Sequence, residues 1–325
     1  MTDTPIKHSY TREDLWDLQP PEAVIQGLLN KREITLIHGK EGSFKSMLVM
    51  QLMDCLTRKV PLFGRFEVPE AKMVGVLATE VHPAGMGERL RRMYPSLEEV
   101  PANFCVMHED LLKHWKRQSS LAAKCAIIAE WVRVKKLEVL IVDTMNDFFR
   151  GKSDPNSETV TGELLDTLRG MDLDNVILVR HDRKSGEKDN EVHSNELIRG
   201  ASELREDPEL ILYLNRVDKR TNQVVFEVGK LRYGEPVDVM GLWFDAGNFR
   251  LTAVPPVVSL LSEGPRNRQE IIEAMHARFD VEQRRTDEML CELRPFLRET
   301  QNGHHKGFEL AREAAVDQAW AGWLS

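Results

Sequence analysis

The chain has 325 residues, 42% hydrophobic and 30% charged, which supplies material for a large core and excludes a disordered chain. Forty-four Lys and Arg against 52 Asp and Glu leave a net charge of −8, which excludes a surface that coats nucleic acid everywhere and still allows a local basic patch. Cys55, Cys105, Cys125 and Cys291 have no metal-ligand or redox spacing, the start MTDTPIKHSY lacks a signal-peptide build, and no apolar run nears the ~20 residues that span a bilayer, so a soluble cytoplasmic protein without membrane contact is expected.

Residues 1–22 are polar, with Trp16 and Leu18 before Pro20-Pro21, and read as an N-terminal arm. From Ile34 the pattern becomes α/β. ITLI (34–37), VGVLAT (74–79), VLIVD (139–143) and VILVR (176–180) are short, almost wholly apolar runs of the kind buried on both faces of a parallel sheet. SMLVMQLMDCL (46–56), GERLRRMY (87–94), AAKCAIIAEWVRVKK (122–136) and GELLDTLRGM (162–171) alternate with them as helices, which predicts a doubly wound or RecA-like, mostly parallel sheet with flanking helices. LILYLNR (210–216), QVVFEVGKLR (223–232) and MGLWFD (240–245) resemble antiparallel strands that finish the sheet. At Val254-Pro255-Pro256 the composition changes. Three short helices and a hairpin follow, the order of a winged helix. The expected domains are the arm (1–22), the α/β domain (23–252) and a small winged-helix-like C-terminal module (253–325).

The strongest local signal is Gly39-Lys40-Glu41-Gly42-Ser43-Phe44-Lys45-Ser46, which follows a strand and, with Met47, opens a helix. This is the G-x-x-x-x-G-K-[ST] loop with Phe44 in place of the second glycine. Its backbone N–H groups would cradle phosphates, Lys45 would meet the β- and γ-phosphates, and the Ser46 hydroxyl would meet Mg2+. Phe44 places a Cβ where many such loops have none. Asp143, at the end of VLIVD, suits the Mg2+ site opposite Ser46; alone it would read as a strand-end cap. Glu80, at the tip of VGVLATE, is a candidate base for hydrolytic water or else an exposed loop carboxylate. The expected ligands are ATP and Mg2+.

Taken in order, these segments resemble the RecA-like ATPase of RepA-type hexameric plasmid and phage replicative helicases, over about residues 20–250. PEAVIQGLLNKREITLIHGKEGSFKS resembles that family's entry strand and P-loop. ATEVHPAGMGERLRRM resembles its strand-tip glutamate segment, which implies that Glu80 is catalytic. VDTMNDFFRGKSDPNSETV resembles the Walker B strand and the loop beyond it. VILVRHDRKSG resembles a sensor strand that ends in His181, and Arg199 to Ser202 resembles the Arg-Gly-Ala/Ser-Ser segment. Gly229-Lys230-Leu231-Arg232 resembles the Lys-x-Arg pair that enters a neighbouring subunit's ATP site. Lys230 and Arg232 alternate on a strand and so share a face, whether as fingers or as solvated charges.

The resemblance implies a homo-oligomeric, hexameric ring acting on single-stranded or forked DNA. Arg150, Lys152, Arg183, Lys184, Lys188 and Arg199 fall in the loops that would line such a ring, although Asp182, Glu187, Asp189 and Glu191 dilute them. In the C-terminal module, Gln283, Arg284, Arg285 and Thr286 open the presumed recognition helix, beside Glu282, Asp287, Glu288 and Glu292. DNA and a protein partner are both open there. The functional expectation is an ATP-hydrolysing DNA motor. The rivals are a DNA-binding ATPase that pairs strands or regulates without unwinding, and an ATP-switched assembly module.

Overall fold

The computed structural model describes residues 10–149, 157–182, 202–216, 222–254, 256–261, 264–279, 281–292, 294, 297–302 and 305–310. A short helix α1 (Arg12–Asp17) opens the described chain under a capping box between Thr11 and Asp14, and none of its residues is buried. The hairpin β1 (Ala23–Ile25) and β2 (Leu29–Asn30) leads into β3 (Glu33–Gly39) and α2 (Lys45–Arg58). β4 (Val74–Ala78), α3 (Pro83–Met93), β5 (Phe104–Val106), α4 (Glu109–Arg117) and α5 (Leu121–Lys135) follow. Then come β6 (Val139–Asp143), a 3-10 turn over Met145–Phe149, α6 (Glu158–Arg169), β7 (Asn175–His181) and α7 (Glu203–Glu206). β8 (Leu210–Arg216), β9 (Gln223–Leu231), β10 (Met240–Asp245) and β11 (Arg250–Val254) complete the sheet.

Among the described residues the sheet has nine strands in the order β11-β10-β9-β8-β3-β7-β6-β4-β5. Its apolar strands bury both faces by simple alternation. Val139, Ile141, Ile177 and Val179 join the core beneath α2. Leu140, Val142, Val176 and Leu178 join the core beneath α5 and α6. β8 pairs parallel with β3, whereas the sequence suggests an antiparallel strand. An apolar strand buried on both faces reads the same in either direction, so only its partners define its sense. β9, β10 and β11 are the antiparallel ones.

Beyond β11 the chain forms α8 (Pro256–Leu261), β12 (Arg266–Asn267), α9 (Arg268–Phe279), α10 (Gln283–Glu292), β13 (Leu297–Asn302) and β14 (His305–Leu310). α10 stops at Glu292, and Leu297 opens a strand. β12, β14 and β13 form a small antiparallel sheet. Val257, Leu260, Ile271, Met275, Phe279 and Leu290 close an apolar cluster of their own, with Val225 of the large sheet at its border. Among the described residues no helix is long and apolar enough to cross a membrane.

Candidate functional site

The loop between β3 and α2 occupies the C-terminal edge of the sheet. Gly39 has φ 155°, and a Cβ there would lie 2.1 Å from the Leu214 carbonyl oxygen of β8, so only glycine lets the strand end pass. Gly42 has φ 80°. Phe44 takes the left-handed conformation at φ 64° that a glycine would adopt freely, and it caps α2 without any side-chain hydrogen bond. Its ring has two partners: it stacks on Phe244 at 4.5 Å between centroids, and the Arg216 guanidinium lies 4.6 Å from its centroid. This packing accounts for the departure from glycine. Phe44 thus gives α2 no side-chain cap, an arrangement that suits an anion at the helix start.

Lys45 is buried and curls back to donate to the Gly39 carbonyl (2.7 Å), the Lys40 carbonyl (2.8 Å) and Ser43 Oγ (3.4 Å). Burial pushes its ammonium down to about 8, against the pull of Asp182, Asp143, Glu80 and Glu41. An ammonium whose hydrogen-bond partners among the described residues are a hydroxyl and two carbonyls is suited to receive an anion. Ser46 hydrogen-bonds Asp143, whose carboxyl is raised by burial, opposed by that bond and by Arg89 and Lys45. A hydroxyl beside a carboxylate is a hard oxygen donor set, which fits Mg2+.

Glu80 lies just past β4 and accepts from Thr144 Oγ1 at 3.3 Å. His181 Nε2 stands 3.4 Å from the other Glu80 oxygen. Because β3, β7, β6 and β4 are consecutive neighbours, Lys45, Ser46, His181, Asp143 and Glu80 gather at one edge although they span 137 positions from 45 to 181.

Lys230 and Arg232 lie elsewhere. β9 runs antiparallel to β8, so its end meets the opposite edge of the sheet: the Arg232 N–H donates to the Glu209 carbonyl, and the Glu209 N–H donates to the Ile34 carbonyl. Lys230 donates to the Glu206 carbonyl, and Arg232 lies 3.5 Å from Glu209, which Arg169 also contacts at 3.2 Å. Arg150, Lys152, Arg183, Lys184, Lys188 and Arg199 lie outside the described residues. On α10, Arg284 and Arg285 both pair with Glu288 (3.3 and 3.1 Å), and Asp287 is taken by Arg268 at 2.6 Å.

Several residues at the site escape a linear reading. Arg89 on α3 is half-buried; burial lowers its pKa, partly opposed by the nearby Asp143 carboxylate. It falls three residues after Met86 and four before Met93, both buried, so a cation on the inward stripe of that helix was a readable signal. Below the P-loop, His38 Nδ1 and Asp182 Oδ1 form a fully buried contact of 2.8 Å with the Tyr213 ring against His38. Nothing local announces a pair 144 positions apart.

Residues 2–187 match the AAA domain family. No curated protein matches the chain. Among solved structures, a KaiC-like protein from the hyperthermophilic archaeon Pyrococcus horikoshii OT3 superposes on 73% of this chain and 100% of its own, at 12% identity and a TM-score of 0.52. The flagellar accessory protein FlaH from Methanocaldococcus jannaschii covers 69% of this chain and 90% of its own, at 11% identity and a TM-score of 0.49. The first likeness shows the fold, a RecA-like sheet with flanking helices.

Proposed function

The chain belongs to the AAA domain family, and from that premise we propose that it hydrolyses ATP with Mg2+ and works on DNA as a ring-forming motor of the RepA-type replicative helicase kind. The observation that carries the ATPase reading is the convergence of an uncapped helix start, a buried lysine and two carboxylates at one sheet edge. Lys45 and the α2 N–H groups bind the phosphates. Ser46 and Asp143 would hold Mg2+, which offsets phosphate charge when bound. Glu80, oriented by Thr144, takes the proton of the attacking water, and His181 senses the same corner. Arg89 adds positive charge beside Asp143.

Lys230 and Arg232 act on the site of a neighbouring subunit, a reading supported by their position at the far edge from their own P-loop. The C-terminal module is a winged-helix-like unit, supported by its helix, strand, helix, helix, hairpin order. Its α10 arginines are already matched by acids, which favours a protein surface over a phosphate backbone as its partner.

The test is ATP turnover by the purified chain with and without single-stranded DNA, with oligomeric mass measured in parallel. Lys45→Ala should lose turnover, and Glu80→Gln should keep nucleotide binding while losing hydrolysis. Full turnover in Glu80→Gln would remove Glu80 from the role of base. Turnover that ignores DNA at every salt concentration, with no DNA binding, would reduce the reading to an ATPase or an ATP-switched assembly module.

A further inference from the structure

A lysine from outside the nucleotide site reaches the same corner from behind. Lys116 stands in the last turn of α4, and its ammonium donates to the Thr79 carbonyl. It also lies 3.3 Å from Asp147 Oδ2, in the turn after β6. Thr79 immediately precedes Glu80. The β4–β6 ladder ends at the pair Ala78 and Asp143, so Thr79 lies where regular strand pairing stops. Side chains take over from there. The Thr79 N–H donates to the Asp143 carbonyl at 2.8 Å, and the Thr144 N–H donates to Thr79 Oγ1 at 3.0 Å. Thr144 Oγ1 then donates to Glu80 at 3.3 Å. Lys116 is the brace that joins the carbonyl of this tip to the turn beyond β6. Lys124, fully buried, holds the same turn through the Asp147 and Phe148 carbonyls at 2.7 and 3.1 Å.

Charge balance for the buried Asp147 would explain a lysine near that carboxylate; it does not explain why the ammonium also bonds the backbone beside Glu80. Ordering a long lysine side chain costs rotamer freedom, so a geometry that satisfies both groups at once has to be stabilised by what it fixes. We propose that Lys116 is a positioning residue for ATP hydrolysis, holding the β4 tip, and with it the Glu80 carboxylate, against the turn after β6. The inference rests on the ATPase reading above. Lys116 touches neither the phosphate loop nor the groups suited to Mg2+, so its effect falls on the rate of the chemical step and not on nucleotide affinity. A misplacement of about 1 Å at a reacting group costs of order 10²-fold in rate.

The experiment measures kcat, ATP affinity and melting temperature for the full chain and for Lys116→Met, Lys116→Arg, Asp147→Asn and the Lys116→Met/Asp147→Asn double variant. Methionine keeps the stem packing without the cation. Lys116→Met should lower kcat by about tenfold or more with ATP affinity within about threefold, and Lys116→Arg should restore part of the rate. The double variant should be no slower than Lys116→Met, because both substitutions break one brace. Wild-type kcat in Lys116→Met overturns the proposal, as does a loss of kcat that only follows a loss of folded protein or of ATP affinity. If Lys116→Met does not fold, Asp147→Asn decides: a kcat-specific loss supports the brace and an unchanged kcat overturns it. An inactive wild-type chain would sink the ATPase reading itself, and this proposal with it, before any variant is compared.

Discussion

Replacing Arg232 by alanine probes the direction of β9. The Arg232 backbone is level with Ile34, through Glu209, at the start of the P-loop strand. Gly39 lies five residues further along that strand, which at about 3.3 Å per residue places the phosphate loop roughly 17 Å away along the sheet. An arginine side chain anchored at one edge does not reach the other, so Arg232 cannot serve its own P-loop. Within the subunit, Arg232 contributes a half-exposed contact of 3.5 Å to Glu209, worth about 0–1 kcal/mol, and Glu209 keeps Arg169 and the Ile34 N–H. Arg232→Ala should therefore fold normally, bind ATP nearly as well as wild type, and turn over ATP about 10³-fold more slowly. Mixing supplies the decisive assay. An Arg232→Ala subunit offers a sound P-loop and a Lys45→Ala subunit offers a sound finger. In an equal mixture of freely exchanging subunits joined head to tail, about a quarter of the sites are complete. ATPase rate plotted against mixing ratio should rise from two dead ends to a maximum near the equal mixture. A flat baseline, with mixed oligomers confirmed by mass, would refute the shared site, and so would full activity of Arg232→Ala alone.

Further expectations concern the loop and the track. Phe44→Ala keeps the left-handed backbone but loses the Phe244 stack and the Arg216 contact, and should cost about 2 kcal/mol in denaturant unfolding. Phe44→Gly should recover about 1 kcal/mol of that, and equal stability of the two variants would contradict the account of this position. On the proposed reading Lys45 meets phosphate as the ammonium, and with burial pushing it down to about 8 that ammonium is lost as pH rises through that value. ATP affinity measured by titration calorimetry should thus be level at neutral pH and decline above about 8. In Lys45→Arg, if affinity remains measurable, the decline should disappear, because a guanidinium stays charged. Arg183→Ala/Lys184→Ala should weaken single-stranded DNA binding and reduce the salt slope by about 1–2, with ATP binding unchanged; an unaltered slope would move the track elsewhere.

How much was legible in the chain follows from how local each signal is. The phosphate loop is a run of eight residues whose chemistry depends on neighbours in sequence, so Gly39 to Ser46 identify it unaided. Almost wholly apolar runs such as VGVLAT and VLIVD declare strands buried on both faces, with Glu80 just past the first and Asp143 at the end of the second. What alternation cannot carry is partnership and direction. Leu210–Arg216 is equally apolar whichever way it runs, and only its pairing with β3 makes it parallel. That pairing, with β9 returning antiparallel, carries Arg232 to the edge away from its own P-loop. The convergence of His38 on Asp182, of Arg89 on Asp143 and of Lys116 on Thr79 and Asp147 likewise depends on which strand tips become neighbours. Composition and motif determined the fold class and the phosphate loop, because they rest on burial and on local backbone geometry. The tertiary structure alone decided which side chains contact Glu80 and which edge bears Lys230 and Arg232, because contacts between residues far apart in sequence exist only once strand order is set.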